Sequence, residues 1–201
     1  LLGSFDPIHV AHLNIAACAL NSKLVDKVLF VVAKHNPWKK EPPVDFELRC
    51  KMIEASIEPF GDKCEVCRLE DNIEPPTYSY KVLDLIRQMY GEYQLNILCG
   101  TDTYNKIPGW KNYKESIEPY FKYIVVGRYL DPGHNFPDAG KSFRILPFGK
   151  KENMMHEIIP LTMTISSTVV RNMIKEGMNP VPLVTNETYK IIKDNNLYKN
   201  G

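Results

Sequence analysis

The chain has 201 residues, a length typical of one domain with at most a small extra lobe. Hydrophobic residues make up 44% of it, enough to bury a sizeable core, which argues against a disordered protein. The net charge of +1 argues against a bulk polyanion such as duplex DNA as partner, although a small local cluster of Lys and Arg remains compatible with a nucleotide.

Cysteine usage and hydropathy limit the cellular setting. The five cysteines, an odd number, lie mostly in apolar segments, which is typical of free thiols in a reducing compartment. Cys64 and Cys67 form a C-x-x-C pair, but residues three apart on a strand face opposite sides, so we expect packing and no metal site there. No segment approaches the ~20 apolar residues of a spanning helix, so we expect no membrane contact, no secretory leader and a cytoplasmic protein.

Strands and helices alternate along most of the chain. A first strand ends at Gly3 and is unusually short, so we expect it to begin upstream of Leu1. Apolar runs predict further strands at residues 28–33, 64–69, 94–99, 123–126 and 143–148. Helical spacing predicts helices at residues 9–21, from an Asp45 N-cap to about residue 57, and at residues 77–90, 166–175 and 186–195. Pro and Gly predict loops at residues 34–43 and 129–140.

This alternation predicts an α/β fold: a Rossmann-like, doubly wound and mainly parallel sheet with helices on both faces. We expect a single domain over residues 1–201, with the core sheet in residues 1–150 and a C-terminal phosphate-binding and helical part in residues 151–201. In such sheets, ligands bind at the carboxyl ends of the strands, where the strand order reverses. The loops at residues 3–8 and 100–102 are therefore predicted to flank the site.

The N-terminal string GSFDPIHVAH carries the first chemical signal. His9 and His12 fall in the first turn of a predicted helix, so both rings share a face and can reach one phosphate group. Gly3 lets the backbone approach a ligand, Ser4 adds a hydroxyl and an N–H, and a helix N-terminus favours anions. A metal pair or ordinary surface histidines would also explain the string, but a zinc site needs a further ligand and no clear candidate is present.

The string ISSTVVR carries the second signal. Ser166, Ser167 and Thr168 precede or open a helix, and their hydroxyl and amide groups predict an anion nest. Arg171, one helical turn further on, can place its guanidinium on phosphate oxygens. A plain helix cap needs only one hydroxyl, so three hydroxyls and an Arg favour phosphate binding.

Both strings resemble motifs of the HxGH-type nucleotidyltransferases, in particular the nicotinate and nicotinamide mononucleotide adenylyltransferases. GSFDPIHVAH is similar to their N-terminal motif and ISSTVVR to their C-terminal one. Further similar segments follow in the family's order, at residues 37–40, 49–52, 76–79, 100–102 with Trp110, 125–128 and 183–198. Ala11 departs from the HxGH pattern, which has Gly there, and its methyl group can crowd adenine or ribose.

The resemblance implies adenylyl transfer from ATP to a mononucleotide, with release of pyrophosphate and with Mg²⁺ accompanying ATP. It implies that His12, helped by His9, contacts the α-phosphate as the catalytic residue. The implied ATP-binding residues are Gly3, Ser4, Phe5, Lys40, Ser166, Ser167, Thr168 and Arg171. The implied mononucleotide-binding residues are Tyr78, Ser79, Gly100, Asp102, Trp110 and Arg128, with Trp110 stacked on the pyridine ring and Asp102 on ribose hydroxyls.

Some alternatives stay open on the residues alone. Lys40 and Arg128 are equally compatible with solvated side chains, Asp102 with a helix cap, and Trp110 with a core position. A phosphopantetheine adenylyltransferase-like enzyme, which typically has Thr where His9 stands, and a non-catalytic nucleotide-binding protein of the same fold are the alternative functions. The residues do not decide between nicotinate and nicotinamide, although the P-T-Y-S segment favours the nicotinate enzyme. We expect small-molecule substrates and no nucleic acid, and a homo-oligomer is compatible with the sequence.

Overall fold

The computed structural model describes residues 1–34, 44–128, 144–145, 156–161 and 165–199. The helices are α1 (Val10–Asn21), α2 (Phe46–Ile57), α3 (Ser79–Tyr90), α4 (Thr101–Tyr104), α5 (Ser167–Lys175) and α6 (Asn186–Asp194). Short 3₁₀ helices lie at Glu58–Lys63, Leu69–Asn72 and Ile107–Gly109, and a π-helical turn lies at Tyr113–Ile117. Within these ranges no helix has the length and apolar character needed to cross a membrane.

The strands are β1 (Leu2–Gly3), β2 (Val28–Val32), β3 (Cys64–Cys67), β4 (Asn96–Gly100), β5 (Lys122–Arg128), β6 (Arg144–Ile145) and β7 (His156–Leu161). They pair in parallel, in the orders β1–β2–β3 and β4–β5–β7–β6. Because β1 also contacts β4, the two sets of strands lie edge to edge. The strand order reverses between β1 and β4, so a ligand crevice is expected where these strands end, at Gly3 and Gly100.

Alternate residues of the inner strands explain why helices cover both faces of the sheet. Phe30, Leu98 and Ile124 belong to a buried cluster that also contains residues of α1, α2, α5 and α6. The next residues along β4 and β5, Cys99 and Val125, belong to a second cluster on the opposite face, to which α3 contributes. This period of two confirms the predicted α/β class with a parallel sheet covered on both sides.

Most element boundaries agree with the sequence patterns to within a few residues. The carboxylate of Asp45 accepts hydrogen bonds from the backbone N–H groups of Glu47 and Leu48, as expected of the N-cap of α2. The sequence pattern does not predict β7, because Pro160 interrupts its apolar run and Pro is rare in inner strands. The pairing of β6 with β7 ends at Ile158, before that proline. The predicted loops at 34–43 and 129–140 lie outside the described residues apart from Lys34, and the predicted strand at 143–148 is described only at Arg144–Ile145. The predicted loop at 100–102 is wrong, because Gly100 ends β4 and α4 begins at the next residue.

Candidate active site

The loop between β1 and α1, residues 4–9, lies at the carboxyl end of β1 and is largely buried. Phe5, Asp6 and His9 are only 2%, 4% and 3% exposed. Phe5 has a φ of +47°, in the left-handed region that costs a non-glycine residue free energy. Such a backbone persists only where its surroundings hold it, so the contacts made to this loop determine its shape.

Gly3 and Phe5 fit together by packing. A Cβ atom at position 3 would lie 3.1 Å from Cζ of the Phe5 ring. The centroid of that ring lies 5.0 Å from that of His12, in an edge-on arrangement, and 5.7 Å from that of Phe30. The glycine therefore makes room for an aromatic ring that supports the imidazole of His12, a packing reason beside the expected close approach of a ligand.

Arg49 of α2 holds the same loop from the protein interior, where it is only 1% exposed. Its Nη1 donates to the carbonyl oxygens of Ser4 and Ala33, each over 2.7 Å, and its Nε donates to that of Val44 over 3.0 Å. Burial lowers the pKa of Arg49, and the nearby charge of Asp6 opposes that shift. Since Ser4 and Ala33 directly follow β1 and β2, one guanidinium fixes the ends of both strands.

The two histidines stack on each other at the start of α1. His9 is the N-cap of the helix and His12 is its third residue, and their ring centroids lie 3.7 Å apart at an interplanar angle of 21°. The backbone N–H of His9 donates to Nδ1 of His12 over 3.3 Å, so a neutral His12 carries its proton on Nε2. His12 is partly exposed and His9 is buried. A ligand entering this structure can therefore touch His12, while His9 supports it from behind.

The backbone amides at the start of α1 differ from the expectation of an open anion site. The N–H of Val10 donates to the carbonyl oxygen of Leu183 over 2.9 Å, and the N–H of His12 donates to that of His9 over 2.9 Å. The N–H of His9 is used by the ring of His12. These three amides are therefore satisfied inside the protein, and the partly exposed imidazole of His12 is a polar group that a ligand can reach at this helix start.

The start of α5 has more hydrogen-bond donors available to a ligand than the start of α1 has. Oγ of the N-cap Ser166 accepts from the N–H of Val169 over 3.4 Å, and Oγ1 of Thr168 accepts from Nη2 of Arg171 over 3.3 Å. Both oxygens act as acceptors, so their hydroxyl protons remain available for donation to an anion. The N–H groups of Ser167 and Thr168 occupy the first helical positions, which have no acceptor within the helix. This end of α5 therefore presents hydroxyl and amide donors together, as the sequence predicts.

Two hydrogen bonds join the predicted ATP-binding strings. Oγ of Ser167 donates to the carbonyl oxygen of Pro7 over 2.9 Å, and Nη1 of Arg171 donates to that of Asp6 over 2.7 Å. The Ser167 hydroxyl proton is thus engaged in the structure, and its backbone amide is the group left to meet a ligand. These two bonds hold the start of α5 against the loop between β1 and α1.

The predicted mononucleotide residues Tyr78 and Ser79 lie at the start of α3, where Tyr78 is the N-cap and Ser79 the first helical residue. Nζ of Lys111 lies 4.4 Å from the centroid of the Tyr78 ring, within the range of a cation–π contact. Lys111 follows Trp110 in sequence, so this contact brings the Trp110 segment against the start of α3. Two of the predicted mononucleotide segments therefore meet.

Trp110 ends the short helix Ile107–Gly109, and its N–H donates to the carbonyl oxygen of Ile107 over 2.9 Å. It is partly exposed and packs against the buried cluster that contains Ile107 and Ile117. One part of the indole is therefore anchored in the core and another part is open to a ligand, which is compatible with both the core and the stacking interpretations.

The remaining predicted residues are only partly described. Gly100 ends β4, where it pairs in register with Val126 of β5. Asp102 lies in α4 directly after β4, and Arg128 is the last residue of β5. The side chains of Asp102 and Arg128, and all of Lys40, lie outside the described part of the chain.

Neither a metal cluster nor a disulfide is found in the described residues. No group of three or more His, Cys, Asp or Glu side chains that could hold a metal ion occurs in the ranges given above. All five cysteines lie in these ranges and none forms a disulfide, and Cys50, Cys64 and Cys99 are buried, as expected for core thiols. Ala11 is 2% exposed, so little of its methyl group is open to a ligand in this structure.

Three residues near the site carry roles that sequence patterns do not single out. Arg49 lies in a segment similar to the family, but its burial depends on carbonyl groups that only the folded chain brings together. Tyr198 donates from its hydroxyl to Oδ1 of Asp6 over 2.6 Å, and Lys111 contacts Tyr78. Each of these contacts joins segments distant in sequence, so no local signal could have found them.

Comparisons with known proteins identify sequences and structures that are similar to this chain. The model of the cytidylyltransferase-like family matches residues 1–173. A Clostridium tetani protein named "Probable nicotinate-nucleotide adenylyltransferase" is 32% identical over 198 residues, covering 98% of this chain and 96% of the relative. A protein of the same name from Methylacidiphilum infernorum is 31% identical and covers 98% of this chain and 89% of the relative.

Among solved structures, Plasmodium falciparum nicotinic acid mononucleotide adenylyltransferase complexed with NaAD superposes with a TM-score of 0.74. The match covers 100% of this chain and 96% of that chain, at 20% sequence identity. At this identity the likeness shows the fold alone, and it confirms the Rossmann-like class predicted from the alternating elements.

Proposed function

This chain belongs to the cytidylyltransferase-like family, and we propose that it transfers the adenylyl group of ATP to nicotinate mononucleotide, giving deamido-NAD and pyrophosphate in NAD biosynthesis. The observation that carries the proposal is the direct contact between the histidine loop and the start of α5, made by the Ser167–Pro7 and Arg171–Asp6 hydrogen bonds. That contact assembles phosphate-binding donors at the carboxyl end of β1, which is what a reaction between two phosphorylated substrates requires.

The chemistry needs alignment and charge stabilisation more than proton transfer. An oxygen of the mononucleotide 5′-phosphate attacks the α-phosphorus of ATP, and the bond from that phosphorus to the bridging oxygen of the β-phosphate breaks. The attacking phosphate has a second pKa of about 6 and is already ionised at neutral pH, so no general base is required. Groups that hold two anions together and offset the charge of the transition state then account for the rate.

The two ends of the chain contribute different donors in this proposal. Nε2–H of His12 donates to an oxygen of the α-phosphate, and His9 holds the His12 ring in place. The hydroxyls of Ser166 and Thr168, the amides of Ser167 and Thr168, and Arg171 bind the β- and γ-phosphates that leave. The backbone of Gly3, Ser4 and Phe5 lies along the nucleotide, and Lys40, by resemblance, reaches the same triphosphate.

At the other end of the crevice, the mononucleotide is held by residues from four segments. The exposed part of Trp110 stacks on the pyridine ring, with Tyr78 and Ser79 beside it. Asp102 accepts hydrogen bonds from ribose hydroxyls near Gly100, and Arg128 binds the mononucleotide from the end of β5. The assignment of Asp102 and Arg128 rests on the resemblance and on their positions at strand ends.

Acid specificity is supported by two considerations. The curated relatives are named as nicotinate enzymes. Lys111 brings a positive charge to the Tyr78 ring, beside the proposed pyridine site. This charge attracts the carboxylate of nicotinate, whereas the amide of nicotinamide is neutral and gains no such attraction.

Mg²⁺ enters in this proposal as part of the MgATP substrate. The groups proposed to bind ATP are imidazole, hydroxyl, amide N–H and guanidinium groups, which donate hydrogen bonds to phosphate oxygens, and none of them is a carboxylate, the side chain that most often binds Mg²⁺. In this proposal the phosphate oxygens of ATP hold Mg²⁺, and the ion offsets part of their negative charge. We further propose that the substrates are small molecules only and that the enzyme works in the cytoplasm.

A substrate panel tests this function. The purified protein is incubated with MgATP or MgCTP and with nicotinate mononucleotide, nicotinamide mononucleotide or phosphopantetheine, and products are separated by chromatography. We expect deamido-NAD from ATP and nicotinate mononucleotide at the highest rate. Formation of dephospho-coenzyme A, a requirement for CTP, or the absence of any condensation product would reject the proposal.

A further inference from the structure

Tyr198 lies near the end of the described chain and contacts the histidine loop, far from its own neighbours in sequence. Its hydroxyl donates to Oδ1 of Asp6 over 2.6 Å, while its ring packs against the main buried cluster. Its φ of +63° is in the left-handed region, so a non-glycine residue is held here in an unfavourable backbone conformation. Such an arrangement points to a specific requirement for this contact.

Asp6 connects Tyr198 to the proposed triphosphate site. Its side chain accepts from Tyr198, and its backbone carbonyl oxygen accepts from Nη1 of Arg171 over 2.7 Å. Asp6 is 4% exposed, so its carboxylate depends on protein donors. The charge of Asp6 also acts on the buried Arg49. Arg171 and Arg49 both act electrostatically on the Tyr198 hydroxyl that donates to this carboxylate, and Arg171 is proposed to bind ATP.

We propose that Tyr198 is a positioning residue whose hydrogen bond to the Asp6 carboxylate helps to keep Arg171 available for the triphosphate of ATP. The C-terminal segment then acts on nucleotide binding without touching substrate. The inference rests on the proposed function in one respect, the binding of ATP phosphates at the start of α5.

Two anions, the Asp6 carboxylate and the triphosphate of ATP, compete for the guanidinium of Arg171. A buried carboxylate that loses a donor attracts the nearest cation, because an unsatisfied buried charge is costly. Arg171 is such a cation for Asp6, because its guanidinium already donates to the backbone carbonyl oxygen of the same residue. Burial, and then the charge of Asp6, raise the pKa of Tyr198 far above its usual value, so its hydroxyl stays a donor throughout the working pH range.

The test compares two tyrosines of the C-terminal segment. Tyr198→Phe removes only the hydroxyl, and Tyr189→Phe is the matched control, because Tyr189 lies in α6 and packs against the same cluster. Binding of MgATP without mononucleotide is measured by calorimetry, at a temperature where circular dichroism shows every variant folded. We expect Tyr198→Phe to weaken MgATP binding about tenfold, with the KM for the mononucleotide within about twofold of the wild-type value, and Tyr189→Phe to change neither.

A double variant separates positioning from a merely structural contact. Asp6→Asn in the Tyr198→Phe background removes the charge that competes for Arg171, so MgATP affinity should return toward the wild-type value. Unchanged MgATP binding in Tyr198→Phe, or failure of Asp6→Asn to restore it, would overturn the inference. The binding measurement needs no turnover, so its result is independent of the substrate panel. The inference on Tyr198 can be refuted while the panel confirms the function, and it can hold if the panel identifies an acceptor other than nicotinate mononucleotide.

Discussion

Nη1 of Arg171 donates a hydrogen bond to the backbone carbonyl oxygen of Asp6 over 2.7 Å, across 165 positions of sequence. The bond uses one of the five N–H donors of a guanidinium, and Nη2 contacts Thr168, so further donors remain for a ligand. An arginine that braces the histidine loop and faces the start of α5 joins the two halves of the proposed ATP site. Changes on either side should therefore affect the same substrate.

His12→Ala should lower kcat by at least about 100-fold, because it removes the donor proposed to stabilise charge on the α-phosphate. His12→Gln restores an N–H donor on a different stem and should recover part of the loss. The rate of pyrophosphate release gives kcat, and circular dichroism checks that both variants fold. Turnover close to that of the wild type in His12→Ala would show that the imidazole is not catalytic.

Thr168→Val and Ser167→Ala form an informative pair at the start of α5. Thr168 is exposed with its hydroxyl proton available, so Thr168→Val should raise the KM for ATP several-fold with little change in stability. Ser167 donates to Pro7, so Ser167→Ala should cost about 1 kcal/mol of unfolding free energy by loss of that hydrogen bond. Equal effects of the two changes on ATP binding would contradict these separate roles. Urea unfolding and initial-rate kinetics supply the two measurements.

Some of this arrangement could be predicted from sequence because its signals are local. Asp45 and Ser166 cap helices with their own side chains, and the apolar run at Val28–Val32 is typical of a strand buried on both faces. The amide of Val10 shows what such local signals cannot predict. A helix start predicts free N–H groups, yet the carbonyl oxygen of Leu183, brought in by the C-terminal segment, accepts from this one.

Buried polar side chains are even harder to predict from local sequence signals. An arginine within a helical pattern is normally read as a surface residue, but Arg49 is buried because the carbonyls of Ser4 and Ala33 converge on it. The sequence predicts that His9 and His12 reach one phosphate group. In the structure their i, i+3 spacing stacks the two rings, with His9 buried behind the partly exposed His12. The spacing predicts that the two rings are neighbours, whereas the burial of each ring depends on tertiary packing.

Trp110→Ala should raise the KM for the mononucleotide about tenfold and leave the KM for ATP nearly unchanged, since a stacking surface for the pyridine ring is lost. Trp110→Phe keeps an aromatic face and should retain most of the affinity. Initial rates with each substrate varied in turn provide both constants. An increase confined to the KM for ATP would place the indole at the wrong end of the crevice.

Lys111→Gln should reduce the preference for the acid substrate. The change removes a positive charge next to the Tyr78 ring, so kcat/KM should fall several-fold for nicotinate mononucleotide and stay constant for nicotinamide mononucleotide. Lys114→Gln, an exposed charge in the following turn, serves as the control for a general electrostatic effect. An unchanged ratio of the two kcat/KM values in Lys111→Gln would remove Lys111 from the account of specificity.

Stability should fall at alkaline pH through the buried thiols. Burial raises the pKa of Cys50 and of Cys64 to about 11, from an ordinary value of 9.0. Between pH 9 and 11 the unfolded chain releases these protons and the folded chain keeps them, so the free energy of unfolding decreases as pH rises. The urea midpoint should drop over this range, and Cys50→Ala/Cys64→Ala should show a shallower drop. A midpoint with the same pH dependence in both proteins would refute the assignment to these thiols.

The fate of the α-phosphorus of ATP distinguishes adenylyl transfer from every other use of ATP. ATP labelled at the α-phosphorus and ATP labelled at the γ-phosphorus are each incubated with nicotinate mononucleotide, Mg²⁺ and the purified protein. We expect the α-label in deamido-NAD and the γ-label in pyrophosphate, at equal initial rates. An α-label recovered only in ATP or AMP, with none in a dinucleotide, would contradict this expectation.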